Sequence, residues 1–225
     1  MAIHDNTAVF NIPVAVKWIS AVTVGVHIGR LFVVPEDAEY SLLSKMAFIP
    51  GRYSDAYVDI YGWGWHQFLT PITYLLAHAD ITHLLINVSL FLAFGAAIGR
   101  QMGVIHFLMF YMLCGLAGAF GFWLFNSNLF APVIGASGAV AGMVGAVCRL
   151  GLKSSRQNNE MPFNNKGAAY SFVVVWLILN LSFSILPIEV FGVEVGRIAW
   201  ETHLGGFLFG FLTTGAVSTA TFSST

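Results

Sequence analysis

Charge is what this sequence has least of. Only 9% of its 225 residues are Asp, Glu, Lys or Arg, against about a quarter in an average soluble domain. Hydrophobic residues make up 57% and the mean hydropathy is +0.75. One soluble core cannot hide that much apolar surface, whereas a bilayer can. The formal net charge is −1, so nothing in the balance points to nucleic acid, whose phosphates demand a basic surface. Cysteine is nearly absent. Cys114 and Cys148 both lie in apolar segments and read as small packing residues rather than a disulfide. Residues 1–11 include Asp5 and lack a basic run, so neither a cleavable signal peptide nor an Arg-rich transit peptide is expected. Internal repeats and low-complexity segments are also missing. One compact membrane domain over residues 1–225 is expected, with no cofactor and no metal.

What is present is a series of apolar runs. Ile12–Val34 is apolar apart from Lys17, His27 and Arg30 and is long enough to span. Further spans are expected over about 80–99, 104–126, 137–152, 168–187 and 201–218, which makes an all-α polytopic bundle of six transmembrane helices. The fourth is short, roughly 24 Å of helix at about 1.5 Å per residue. A bilayer core is roughly 30 Å thick, so one end of this span lies inside the membrane. Between the first two spans, Pro35–Gly62 carries Glu36, Asp37, Glu39, Asp55 and Asp59, and Tyr53, Tyr57, Tyr61, Trp63 and Trp65 crowd its end. Rings at this density suit a membrane interface or a loop packed by its own aromatics. With the N-terminus inside, Lys17, Arg100, Arg149, Lys153, Arg156 and Lys166 fall on the cytoplasmic side and Arg30, Lys45, Arg52 and Arg197 outside, a modest positive-inside bias.

Polar groups at membrane depth are expensive and mark function or a buried partner. His78, His83 and Asn87 open the second span, Ser137 opens the fourth within Gly135-Ala-Ser137-Gly138, and His203 opens the sixth. Counting from Arg149 and Arg100 as inner markers at about 1.5 Å per residue, Ser137, Asn87 and His83 lie roughly 18, 20 and 26 Å above the inner interface. Counted from Arg197, His203 lies roughly 9 Å below the outer one. Residues of three spans thus share one slab of the outer half, although depth leaves their azimuth open.

The residue types then suggest chemistry. A serine hydroxyl becomes a nucleophile when a base accepts its proton, and histidine suits that near neutral pH. His83 and Asn87, at i and i+4, share a helix face and both can donate to an oxyanion. Gly135 and Gly138 leave the backbone N–H of Ser137 uncrowded. Each feature has a structural alternative: small residues with a serine also make helix contacts in membranes, a lone histidine is commonly a buried packing group, and His83 with Asn87 can bridge helices. Their agreement in depth favours chemistry. His27, His66 and His106 read as structural. Gly138, Gly142 and Gly145 on one span and Gly206 and Gly210 on another form small-residue faces that permit close approach. If these faces pack, Ser137 and His203 meet.

These residues resemble the rhomboid family. His78-x4-His83-x3-Asn87, Gly135-x-Ser137-Gly138 and His203-x2-Gly206-x3-Gly210 match its three signatures in order on the second, fourth and sixth spans. The resemblance covers about residues 12–218. It implies a six-helix bundle and an intramembrane serine endopeptidase working through a Ser137–His203 dyad without a carboxylate. His83, Asn87 and the Ser137 N–H would form the oxyanion hole, and His78 would be a structural histidine near the loop. Substrates would be transmembrane proteins cut in or near the bilayer. A bacterial cytoplasmic membrane is the expected location. Two positions depart from the pattern. Many members have a tyrosine four residues after the serine, stacked on the catalytic histidine, where this sequence has Ala141. His66-Gln67 occupies the neighbourhood of a first-loop Trp-Arg pair.

Two other readings compete. One is a catalytically inactive rhomboid-like protein that binds membrane clients. The other is a small transporter or channel, weakened by the scarcity of charge in the spans and the lack of an inverted repeat. For the protease, the chain between Ile188 and Trp200 is expected to cover a water-filled cavity. Pro187 would stop the fifth span, Gly192 and Gly196 would let the segment bend, and Phe191 with its valine neighbours would plug the opening.

Overall fold

Prolines and cap residues set most of the helix boundaries. In a computed structural model that describes residues 12–153, 166–185, 188–190, 193–195 and 199–221, α1 (Val14–Val33) starts directly after Pro13 and stops before Pro35, where a fixed φ is tolerated at a helix start but not in its interior. α2 (Glu36–Met46) carries Glu36, Asp37 and Glu39 in its first turn and Lys45 in its last, complementing the helix dipole at both ends. α3 (Asp55–Tyr61) is capped by Ser54, whose Oγ accepts the Tyr57 N–H, and α4 (Trp65–Thr73) follows. The polar stretch after the first span is therefore largely helical. Gln67 organises it from within. Its Oε1 accepts the Gly64 N–H at 2.7 Å, and its Nε2 donates to the carbonyls of Arg52 and Gly62. Tyr53 is half-buried against Phe48, while Tyr61, Trp63 and Trp65 stay exposed. The cluster is thus packed by its own aromatics in part, and the exposed rings are the ones free to meet a membrane interface.

The second apolar run is one continuous helical rod. α5 (Ile81–Leu90) passes through a π-turn at Phe91–Gly95 into α6 (Ala96–Gly99). Then come α7 (Val104–Asn126), α8 (Ser137–Lys153), α9 (Lys166–Ile185) and α10 (Trp200–Thr221). These lie within a few residues of the expected spans. α1, the rod Ile81–Gly99 and α7 are long and apolar enough to cross a membrane. Shorter apolar stretches occupy Ser137–Leu152 and Lys166–Ser182. Between α9 and α10, β1 (Ile188–Val190) pairs antiparallel with β2 (Val193–Val195), matching Ile188 with Val195 and Val190 with Val193. The described fold is helical apart from this hairpin and a single bridge between Phe48 and Val133. The segment expected as a cover thus contains strand, and its period-two pattern, Ile-Glu-Val and Val-Glu-Val, is the signal for it. Pro187, Phe191, Gly192 and Gly196, on which the lid expectation turns, lie outside the described residues.

α8 is the central element. Ala139, Met143, Ala146, Val147 and Cys148 are completely shielded, and α7 and α10 pack around them. Small side chains are what allow this. A β-carbon on Gly206 would lie 1.9 Å from the Gly138 carbonyl oxygen, one on Gly210 equally close to that of Gly142, and one on Gly145 only 2.2 Å from that of Phe207. No side chain fits at these points, so the two glycine faces meet backbone to backbone, as small-residue interfaces in membranes do. Cys114 and Cys148 are free, buried thiols. The outward faces carry exposed Trp18, Phe32, Leu85, Phe120, Leu124, Ile178 and Leu212. Apolar groups this numerous on the outside of a packed helical core fit a lipid solvent.

Candidate active site

Four helices contribute to one end of the core. Asp80 is the N-cap of α5, its Oδ1 accepting the His83 N–H at 2.8 Å, and so fixes His83 in the first turn and Asn87 one turn further on. His83 is half-buried and Asn87 buried, with one amide hydrogen of Asn87 given to the His83 carbonyl at 3.0 Å. The second hydrogen of that amide is left for another acceptor. The Ala79 N–H approaches His83 Nδ1 at 3.5 Å. This contact favours the tautomer in which Nδ1 accepts and Nε2 carries the proton.

The strand of chain before α8 is held by the other histidine. Fully buried His78 accepts the Ala136 N–H on Nε2 at 3.4 Å and donates from Nδ1 to the Leu76 carbonyl at 3.4 Å. The Gly135 N–H donates to the Tyr74 carbonyl at 2.9 Å. Gly135 itself has φ +120, and a β-carbon there would lie 2.8 Å from His83 Nε2 and 3.8 Å from Ser137 Oγ. Only glycine satisfies both the dihedral and the space. The vacancy it leaves is lined jointly by the His83 ring and the Ser137 hydroxyl. Ser137, half-buried, begins α8, where the first backbone N–H groups of a helix have no partner within it.

His203 sits in the first turn of α10, half-buried. The neighbours of the two residues touch: a β-carbon on Gly138 would meet Thr202 Cγ2 at 2.9 Å. Glu201 Oε1 accepts from Asn126 Nδ2 at 3.1 Å, tying the start of α10 to the end of α7. The one side-chain hydrogen bond found for the His203 ring among the described residues runs to α9: Nδ1 donates to Asn180 Oδ1 at 2.5 Å. Ser137 and His203 are brought to the same helix ends but are not hydrogen-bonded to each other, a contact that in unliganded sites commonly tightens only when substrate arrives.

Further out, Arg30 on α1 pairs with Glu39 on α2 and donates to the Ala79 carbonyl at 3.0 Å and toward His27 Nδ1 at 3.3 Å. It braces the turn that leads into His83. His27 is accordingly a buried structural histidine, and His106 is an exposed one on α7. Sequence reasoning missed the capping role of Asp80 and the organising role of Gln67, and did not single out Asn180. Asn180 carried a signal, being a lone carboxamide in an otherwise apolar run.

Comparison with known proteins places this chain in a family. The model of the rhomboid domain matches residues 65–220, more than half of the chain and all of the residues just described except His27, Arg30 and Glu39. The chain belongs to the rhomboid family. Rhomboid relatives include rhomboid protease GluP of Bacillus subtilis, 31% identical over 68% of this chain and 26% of the relative, and RHOMBOID-like protein 1 of Arabidopsis thaliana, 31% identical over 65% of this chain and 34% of the relative. The putative rhomboid protease YdcA of Bacillus subtilis is 31% identical over 66% of this chain and 67% of its own length. The matched region thus spans about a quarter to a third of the first two relatives. Rhomboid membership and the apolar helices together make this an integral membrane protein of a family that consists in general of serine proteases.

Proposed function

We propose that this rhomboid is an intramembrane serine endopeptidase in which Ser137 is the nucleophile and His203 its base. The observation that carries the reading is the glycine-mediated contact of α8 with α10, which sets the first turns of the two helices side by side. With Nδ1 occupied by Asn180, neutral His203 keeps a lone pair on Nε2 for the Ser137 proton. Oγ then attacks the scissile carbonyl, and the tetrahedral oxyanion forms beside His83 Nε2–H, the free Asn87 amide hydrogen and the Ser137 N–H. His203 returns the proton to the leaving amine. Water later deacylates the serine by the same route in reverse. In this reading α8, α9 and α10 span together with α1, the Ile81–Gly99 rod and α7, and the site lies in the outer half of the bilayer. Its substrates are transmembrane proteins cut in or near the membrane, and its location is a bacterial cytoplasmic membrane with the N-terminus inside.

The test is labelling by a serine-directed fluorophosphonate in detergent-solubilised protein. Wild type is expected to label and Ser137→Ala not to. A wild type that folds but fails to label would instead support the inactive client-binding reading.

A further inference from the structure

The polar partner of His203 is a neutral one on a helix that carries none of the family signatures. Asn180 lies in the middle of α9, within Trp176-Leu-Ile-Leu-Asn180-Leu, and is only 9% exposed. A carboxamide is costly at such a place unless both of its ends are used. Both are: Oδ1 faces His203 Nδ1 at 2.5 Å, and Nδ2 donates to the Trp200 carbonyl at 3.4 Å. The second bond decides how the first is read. A carbonyl only accepts, so the amide nitrogen must face Trp200 and the amide oxygen must face the ring. An amide oxygen also only accepts, so the proton of neutral His203 must sit on Nδ1. Asn180 spans the first turn of α10, from Trp200 to His203, and holds both the ring's orientation and its tautomer.

We infer that Asn180 is the positioning residue of the catalytic histidine, the third member of a Ser137–His203–Asn180 relay. The inference rests on the dyad reading above. In the resting state the lone pair points from Nε2. When Nε2 takes the Ser137 proton, both ring nitrogens carry hydrogen, and Asn180 Oδ1 continues to accept from Nδ1–H. An amide does this without placing a second ionised group in a membrane interior, where a carboxylate would be costly to desolvate. The position four residues after the serine, Ala141, is buried and has no polar side-chain atom, so its side chain cannot supply this bond.

Two variants separate positioning from packing. Asn180→Leu keeps the γ-branched shape and removes the acceptor. Asn180→Asp keeps an acceptor oxygen in the same place. Asn180→Leu is expected to lower kcat for a transmembrane reporter by about 10- to 100-fold, with KM nearly unchanged, and to slow fluorophosphonate labelling in parallel. Asn180→Asp is expected to recover most of both. The independent readout is the 15N spectrum of histidine-labelled Ser137→Ala protein, with His203 assigned by its loss in His203→Gln. Protonated Nδ1 and bare Nε2 are expected at neutral pH, turning to a tautomer mixture when Asn180→Leu is added. Full kcat in Asn180→Leu, or a His203 ring whose tautomer ignores that change, overturns the inference. If Asn180→Leu does not fold, Asn180→Asp with wild-type labelling but an Nε2-protonated resting ring overturns it equally. Cleavage that persists in Ser137→Ala would instead remove the dyad reading and leave the Asn180 bond a structural one.

Discussion

At the scale of single residues, the site depends on side chains that each have one job fixed by a neighbour. Asp80 sets where α5 starts, and His83 and Asn87 follow by helical geometry. His78 holds the chain before Ser137, and Asn180 holds His203. If Ser137 and His203 are nucleophile and base, as proposed, they act as a unit, and Ser137→Ala and His203→Ala are each expected to abolish cleavage of a transmembrane reporter. The double variant should be no worse than either. Additive losses across the three proteins, measured as kcat, would contradict the dyad. His83→Ala and Asn87→Ala are expected to lower turnover far more than substrate binding, since their donors matter most once charge has developed on the oxyanion. Removing one such donor costs about 100- to 1000-fold in a well-studied protease. A smaller loss is expected here because three donors share the charge. Steady-state kinetics decide the point, since weakened binding at unchanged turnover would make these residues docking groups.

At the scale of elements, the α8–α10 contact is the joint on which the site depends. The backbones approach so closely that Gly210 has the Gly142 carbonyl oxygen 1.9 Å from where its β-carbon would stand, whereas Gly25 on α1 has nothing within 4 Å of the same point. Gly210→Ala must therefore separate the helices, and overpacking of this kind costs about 1–3 kcal/mol. Gly25→Ala meets open space and removes an unfavourable helix glycine, so it is expected to be neutral or to stabilise by up to about 1 kcal/mol. Thermal unfolding in detergent should show Tm lowered for the first and level or raised for the second. Equal effects at both positions would mean that the glycine faces do not form the joint. The far end of the same pair is closed by Arg149, which stacks over the Phe211 ring at 5.3 Å. The contact thus runs from the site to the end where the sequence places the inner interface.

At the scale of the whole molecule, the question is which side of the membrane opens to Ser137. Ser137, His203 and His83 are all half-buried rather than sealed, as the proposed hydrolysis would require. From the positive-inside bias, their end of the bundle is expected to face outside. With Cys114 and Cys148 replaced by serine, Ser137→Cys in sealed vesicles of known orientation is expected to react with a small membrane-impermeant thiol reagent added from the outer face. Modification only from the cytoplasmic face would reverse the topology. A slow reaction, quickened when β1 and β2 are loosened, would give the hairpin between α9 and α10 a covering role.

The spans were legible because a bilayer demands long apolar runs, and such runs are a property of composition along the chain. Ser137, His203, His83 and Asn87 stood out as candidates for the complementary reason, as polar groups where lipid makes polarity costly. The short helices α2, α3 and α4 were not, because their charges and turn residues read as loop and their order comes from Gln67, Tyr53 and the packing on α7. Asn180 was visible as a polar residue but not as a partner of His203. Two residues 23 apart on different helices meet only if both helices have the right azimuth, and azimuth is set by side chains that pack elsewhere. The sequence by itself determined which residues are costly enough in a membrane to need a purpose. The tertiary structure alone decided which of them face one another, because that depends on backbones meeting at Gly138, Gly142, Gly206 and Gly210 to within the width of a missing β-carbon.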